Sequence, residues 1–332
     1  MRLLIVTQKV DRADPILGFF HRWIEEFAKH CEKVTVIAQS VRDHHFPPNV
    51  HVYSLGKEEK KPRWLQILRF RNLIRKLRND HDAVLVHMTP VWVALGWPWA
   101  NPVYLWYEAR GARWPLRIAL KIVRKVFSAS EHGMPVRTAK SIVTGHGIDT
   151  DAFAPGQEPR NPHHIVTVGR MTASKRLPVI LDAFASLPAQ YRLSIFGPGI
   201  TPADAQVRRL VNEHVQSLEV TDRVDMQSLS QSQIVHELRR AMMFLHASAT
   251  SLDKAVLEAM SCGCLVASCA DALKGVLPAD CWTTPEHLGL KAQEILDLPA
   301  DRQEQLRREL RQVVQEKHSL PRLIQRLVQE MA

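Results

Sequence analysis

Ile165-Val166-Thr167-Val168-Gly169-Arg170-Met171-Thr172-Ala173-Ser174-Lys175-Arg176 leads a short apolar run through a glycine into a basic turn. Leu177 to Ala185, which follows, has the length and apolar content of a helix. Strand, glycine turn and helix make the repeating unit of parallel α/β sheets. Gly169 lets backbone approach closely, and a helix N-terminus beside Arg170 and Lys175 makes an anion site suited to a diphosphate. A solvated basic loop is the alternative reading of the same residues.

The pattern continues in both directions. Downstream, Leu193 to Phe196, Val224 to Met226, Met243 to Leu245 and Leu265 to Ala267 read as strands. They alternate with helices at Leu177 to Ala185, Asp204 to Leu218, Gln231 to Ala241 and Leu252 to Ser261. Upstream, Leu3 to Val6, Val34 to Ala38, Val52-Tyr53, Ala83 to Val86, Val103 to Leu105, Lys125 to Ala129 and Ser141 to Val143 form a second strand series, with helices at Gly18 to Lys29 and Arg63 to Arg78. The Pro-rich stretch Phe153 to Pro162 separates the two series. The expectation is an α/β protein of two Rossmann-like domains facing across a cleft. They comprise residues 1–158 and 159–319, with 320–332 as a C-terminal helix packing back on the first domain. Ligands of open α/β sheets sit at the carboxyl edges of the strands.

A chain of 332 residues suffices for about two domains. Its 45% apolar and 23% charged residues argue against disorder and against a disulfide scaffold. Five cysteines, odd in number, suit a reducing compartment. Cys262-Gly263-Cys264 has poor spacing for a zinc half-site. Ala83 to Tyr107 is free of formal charge, but Pro90, Pro98, Asn101 and Pro102 interrupt it, so strand, short helix and strand fit better than a membrane span. Met1-Arg2 runs straight into Leu3 to Thr7, without the pattern of a secretory leader.

Charge is the unusual bulk property. Residues 1–160 hold 25 Lys and Arg against 15 Asp and Glu, whereas residues 161–332 hold 19 of each. The whole net charge of +10 therefore belongs to the first half, which is expected to face something anionic. Arg63 to Arg78 and Gly111 to Phe127 concentrate it, interleaved or flanked by Trp64, Trp92, Trp97, Trp99, Trp106 and Trp114. Basic amphipathic helices beside tryptophans suit an anionic membrane surface; a solvated basic face over core packing is the alternative. Nucleic acid is disfavoured as a partner, because no helix-turn-helix, zinc-finger or RNP signature accompanies the charge.

Leu257-Glu258-Ala259-Met260-Ser261-Cys262-Gly263 places one carboxylate on an otherwise apolar helix. Such a charge needs a partner, either a ribose diol or a structural ion pair. Four pieces occur together in order: Leu3 to Gly18, Val143-Thr144-Gly145-His146-Gly147-Ile148-Asp149 with Phe153-Ala154-Pro155, Val168-Gly169-Arg170 with Lys175, and Leu257 to Met260 with Gly263. With them the chain resembles the family 4 glycosyltransferases, retaining nucleotide-sugar-dependent enzymes of GT-B architecture. The resemblance spans residues 1 to about 270.

The resemblance implies a hexosyltransferase with a nucleotide-diphosphate sugar as donor substrate, no cofactor and no metal. Its acceptor would be the hydroxyl of a lipid-linked or cell-envelope saccharide, and its location cytoplasmic, peripheral at the inner face of the membrane. Arg170 and Lys175 would hold the diphosphate and stabilise charge on the departing nucleotide. Glu258 would hold the ribose, and Gly18 would let backbone amides approach the phosphate or the transferred sugar. Asp149-Thr150-Asp151 has a metal-binding form, but its place after Gly145 to Ile148 suits turn chemistry and helix capping.

Two departures stand out. Many relatives carry a second glutamate where this chain has Thr250, and small residues where it has Asp253 and Lys254. Either Thr250, Ser251 or Asp253 meets the sugar hydroxyls, with Lys254 or backbone amides on phosphate, or the protein is a catalytically silent binding protein. Relatives also commonly place a histidine after the strand matching Val103 to Leu105, where this chain has Trp106 to Arg110. His87, at a strand end, is the remaining catalytic candidate or else an ordinary histidine; Glu108 and Arg110 are candidates on the acceptor side.

Overall fold

The computed structural model describes residues 1–14, 16–111, 114–199 and 201–332. Arg113 of the basic segment 111–127 lies outside the described residues. The chain divides into two compact units, Met1–Gly147 with Leu320–Ala332, and Ile148–Ser319.

In the first unit the strands are β1 (Arg2–Val10), β2 (Lys33–Val41), β3 (Val50–Ser54), β4 (Ala83–His87), β5 (Val103–Trp106), β6 (Val126–Ser128) and β7 (Ser141–Val143). They form one parallel sheet in the order β3-β2-β1-β4-β5-β6-β7. Helices α1 (Phe19–His30), α2 (Arg63–Lys76), α3 (Val91–Gly96) and α4 (Trp114–Ile122) belong to its crossovers. Leu3, Leu4, Ile5 and Val6 are buried in succession, as expected of a strand covered on both faces. The uncharged stretch from Ala83 resolves into β4, α3 and β5. Phe70 and Ile74 of α2, Trp92 and Val93 of α3, and Leu116 and Ala119 of α4 share one core with Val84 and Leu105 of the sheet.

The second unit has β8 (Asn161–Val168), β9 (Arg192–Phe196), β10 (Val224–Gln227), β11 (Ala241–His246) and β12 (Leu265–Ser268). They form a parallel sheet in the order β10-β9-β8-β11-β12. Its helices are α5 (Leu177–Ala185), α6 (Pro202–Ser217), α7 (Gln231–Arg240), α8 (Lys254–Ser261), α9 (Leu288–Leu296) and α10 (Ala300–Lys317). Register matters here for side chains: His246 pairs with Ser268, and Val168 with Phe196.

The division between units falls earlier than the 158/159 join suggested by the Pro-rich stretch. Residues after Gly147 are held by the second unit. The Ile148 amide donates to the His318 carbonyl at 2.7 Å, Phe153 is buried, and Arg239 donates to the carbonyls of Ala152 and Ala154. The last helix, α11 (Leu320–Met331), belongs to the first unit and packs on α1. Leu323, Ile324, Leu327 and Met331 make its buried stripe. The Tyr104 hydroxyl donates to the Met331 carbonyl at 3.3 Å, and Lys125 donates to both the Glu330 carbonyl and its carboxylate. Lys125 is therefore engaged within the fold rather than contributing to the basic face.

Leu327 is fully buried, so Leu327→Ala should lower the unfolding free energy of the first unit by about 2–5 kcal/mol. Chemical denaturation followed by tryptophan fluorescence checks this; an unchanged midpoint would detach α11 from the first unit.

Candidate functional site

The strand order of the second sheet reverses between β8 and β11, and open parallel sheets form a crevice where the connections leave in opposite directions. Two loops leave that edge: Gly169–Arg176 after β8 and Ala247–Asp253 after β11. The first is shaped by crowding. A Cβ on Gly197 would lie 1.8 Å from the Gly169 carbonyl oxygen, and a Cβ on Gly169 would lie 2.4 Å from Lys175 Cε. Only glycine at both positions allows the turn and the passage of the lysine stem. A single 3-10 turn, Ala173–Lys175, then brings the chain to α5. The two loops are stitched together, since the Ala249 amide donates to the Ser174 carbonyl at 2.8 Å and the Ser248 hydroxyl donates to it at 3.4 Å.

Every cation singled out in the sequence here has a carboxylate partner. Arg170 Nη2 lies 3.3 and 3.1 Å from the two oxygens of Asp204, which also completes a capping box with Thr201 at the start of α6. Lys175 Nζ is bonded to Asp253 Oδ2, and Lys254 Nζ to Glu258 Oε1 one helical turn away. Glu258 is nearly buried, and of the two partners open to it the ion pair with Lys254 is present. Asp253 has further duties. Its Oδ1 accepts from the Ala255 amide, capping α8, and His246 Nε2 lies 3.2 Å from Oδ2. Burial by itself would raise the Asp253 carboxyl, but the Lys175 ammonium and the His246 hydrogen bond outweigh it and hold the group far below the usual carboxylate range. Thr250 turns its hydroxyl to Ser248, 2.8 Å away, and donates to the Ser251 carbonyl. The sequence reading missed His246, Ser268 and Asp204. Strand-end position marks the first two, and the spacing of Thr201 to Asp204 marks the third.

In the first unit, Gly18 begins α1, and its Cβ position lies 2.5 Å from the Asp14 carbonyl oxygen. The space freed by this glycine is filled by the backbone of its own loop. The loop is further held by Asp14, which accepts from the Ile16 and Leu17 amides and pairs with Lys9. Glu108 closes a loop instead of standing open: it accepts from the Ser128 hydroxyl, from the Ala129 and Ser130 amides and from the Ser130 hydroxyl, all within 3.2 Å. Arg110 is exposed.

His87, a catalytic candidate or else an ordinary histidine by its sequence position, is 1% exposed. Its ring stacks on Phe20 at 4.1 Å and is flanked by Trp23 and Trp106, while Nδ1 lies 3.3 Å from Thr7 Oγ1. Strand register sets Trp106 beside it. Burial alone pushes its pKa down to about 3, so the ring is neutral. In this arrangement the residue is a core imidazole. Asp149 caps a turn by accepting from the Ala152 amide, and among the described residues no group of three or more His, Cys, Asp or Glu is placed to hold a metal ion.

Residues 162–280 match the family of glycosyl transferases group 1. No curated protein matches the chain. Among solved structures, Anabaena HepE in complex with UDP and glucose is 14% identical with a TM-score of 0.78, over 100% of this chain and 99% of that one. The fold is GT-B. Sucrose-phosphate synthase from Thermosynechococcus elongatus is similar at 16% identity and a TM-score of 0.79, covering 99% of this chain and 98% of that one. WaaG, a glycosyltransferase of lipopolysaccharide biosynthesis, follows at 14% and 0.69, covering 99% of both chains. Within the GT-B fold, the family match contains the whole Gly169 and Asp253 edge and none of the first unit.

The His87 environment yields a pH prediction. The unfolded chain takes up this proton at ~6.5 and the folded one only at about 3. Between those values the unfolded state binds more protons, so stability falls as pH falls, by ~1.4 kcal/mol per pH unit for this group. His87→Phe should remove that one-proton slope, measured by urea unfolding between pH 4 and 7.

Proposed function

We propose that the protein is a retaining, metal-independent glycosyltransferase, moving a sugar from a nucleotide-diphosphate sugar to a hydroxyl of a saccharide or lipid-linked acceptor. The observation that carries the reading is the edge around Gly169: a family-matched segment in which Arg170 and Lys175 extend from one glycine turn. The similar Anabaena protein binds UDP-glucose, which supports a nucleotide sugar as the donor. In the proposed step the acceptor oxygen bonds to the anomeric carbon as the bond from that carbon to the phosphate oxygen breaks. The departing phosphate oxygen takes the acceptor proton. Charge builds on the leaving diphosphate, and fixed cations aimed there lower the barrier because they need no reorganisation. Arg170 and Lys175 are those cations, and Glu258 meets the ribose by exchanging part of its contact with Lys254.

A panel of UDP-, GDP- and ADP-sugars tests this by thermal shift. A true donor at ~100 Kd should add ~2.7 kcal/mol, and Lys175→Ala should abolish transfer while the fold persists. Binding of a donor without turnover would favour the catalytically silent reading motivated by Thr250.

The acceptor is proposed to be met at an anionic membrane surface through the first unit. α2 exposes Arg69, Arg71 and Arg75 beside Trp64, 64% exposed, and Leu68. α4 exposes Arg117 and Lys121 beside Trp114, 70% exposed, and Ile118; Trp97, next to α3, is also exposed. Because α2, α3 and α4 share one core, these side chains sit on neighbouring elements of one layer. Cations near lipid headgroups contribute about 1 kcal/mol each, and tryptophan favours the interface. No helix among the described residues is long and apolar enough to cross a membrane. The chain should float with phosphatidylglycerol-containing liposomes at low salt and detach at high salt, and Trp64→Ala with Trp114→Ala should weaken flotation. Equal recovery with neutral vesicles would remove the electrostatic part of this proposal.

A further inference from the structure

Behind Lys175 lies a chain of buried polar groups that the proposed chemistry has not used. Ser268 and His246 are register partners on β12 and β11, and His246 Nδ1 lies 3.0 Å from Ser268 Oγ. His246 Nε2 lies 3.2 Å from Asp253 Oδ2, and that same oxygen is bonded to Lys175 Nζ. His246 and Ser268 are buried, and the side chains of Asp253 and Lys175 are 10% and 17% exposed.

One set of donors and acceptors uses every contact along this line. Ser268 Oγ already accepts from the Ala270 amide at 3.2 Å, and its hydroxyl hydrogen has His246 Nδ1 as the acceptor within reach. A neutral imidazole that accepts at Nδ1 carries its proton on Nε2 and donates it to Asp253. Asp253 then has Oδ2 receiving from His246 and Lys175, and Oδ1 receiving from the Ala255 amide. Little of the carboxylate is left for a sugar hydroxyl. Lys175, with three N–H donors, spends one on Asp253 and keeps two.

We propose that Ser268, His246 and Asp253 form a positioning relay that aims the Lys175 ammonium at the donor phosphate, so that Asp253 serves the lysine and not the transferred sugar. On this reading Asp253 does not stand in for a carboxylate at position 250. The acidic group sits three residues later, at the cap of α8, where a strand-end histidine can hold it from behind. The Gly169 turn lets the lysine stem pass across the strand end to reach it. A lysine is a flexible point charge, and holding it in place keeps it aimed at the charge that develops on the leaving diphosphate, so that it need not reorganise as the bond breaks. This role of Asp253 rests on the proposed transfer reaction, whereas the proton assignment on His246 does not.

Two measurements on the full chain separate those parts. Long-range proton–nitrogen spectra of labelled protein, with His246→Gln assigning the signal, should show His246 as the neutral Nε2–H tautomer. Asp253→Asn and Ser268→Ala should each move that signal. A proton on Nδ1, or signals unmoved by both variants, overturns the relay whether or not any donor is found. With the sugar nucleotide selected from the UDP, GDP and ADP panel, Asp253→Asn should lower kcat about tenfold and change donor KM less than about threefold. In the residual activity of Lys175→Arg, adding Asp253→Asn should bring no further loss, because the aspartate acts through the lysine. Independent losses, or a raised donor KM with kcat unchanged, would place Asp253 on the sugar and overturn the proposal. Should Asp253→Asn fail to fold, Ser268→Ala carries the same kinetic test, with an expected loss of kcat of about two- to fivefold and the same dependence on Lys175. Absence of turnover with every donor in the panel defeats the transferase reading and leaves the spectrum to decide the relay.

Discussion

The Gly169 carbonyl oxygen lies 1.8 Å from where a Cβ of residue 197 would be, and the Lys175 stem occupies the place of a Cβ on residue 169. These two exclusions shape the edge of the second sheet. They bring the turn after β8 against the end of β9, let the lysine cross the strand end, and leave the Ser174 carbonyl free to take the Ala249 amide from the neighbouring loop. Any side chain at position 169 or 197 would have to push backbone or the lysine away. The chemistry proposed for this edge depends on that packing more than on any individual charge.

Charge at the edge is balanced pair by pair. Arg170 with Asp204, Lys175 with Asp253 and Lys254 with Glu258 match each of these three cations with a carboxylate. Partly buried ammonium and guanidinium groups are costly without counter-charges, so the carboxylates keep them in place until an anion shares them. The attraction proposed between this edge and a diphosphate is then short-ranged, exerted by donors already in position. Exposed arginines are concentrated instead on α2 and α4 of the first unit.

That first unit shows how far a residue type can be from its role. Its aromatic cluster around His87 and the loop closed by Glu108 use functional-looking residues to fill and pin the structure. A histidine at a strand end and a glutamate in a strand-to-helix connection read as site residues because such positions often are. The contacts these residues make in the folded chain are with neighbours distant in sequence: Phe20 for His87, and Ser128 to Ser130 for Glu108.

The alternation of short apolar runs with helices, read along the chain, was enough to give two parallel α/β units and the places of nearly all strands. That pattern is local, because each strand must bury both faces and each helix one stripe. The glycine turn with Arg170 and Lys175 and the lone glutamate at 258 were likewise legible, since their signal lies in adjacent residues. Partners were not legible. Which carboxylate meets which cation, that the chain crosses from one unit to the other already at Gly147, and that His246 stands behind Asp253 depend on strand register and loop packing. Those contacts join residues brought together only when the sheet closes, and a hydrogen bond or ion pair exists only at distances that the folded chain sets.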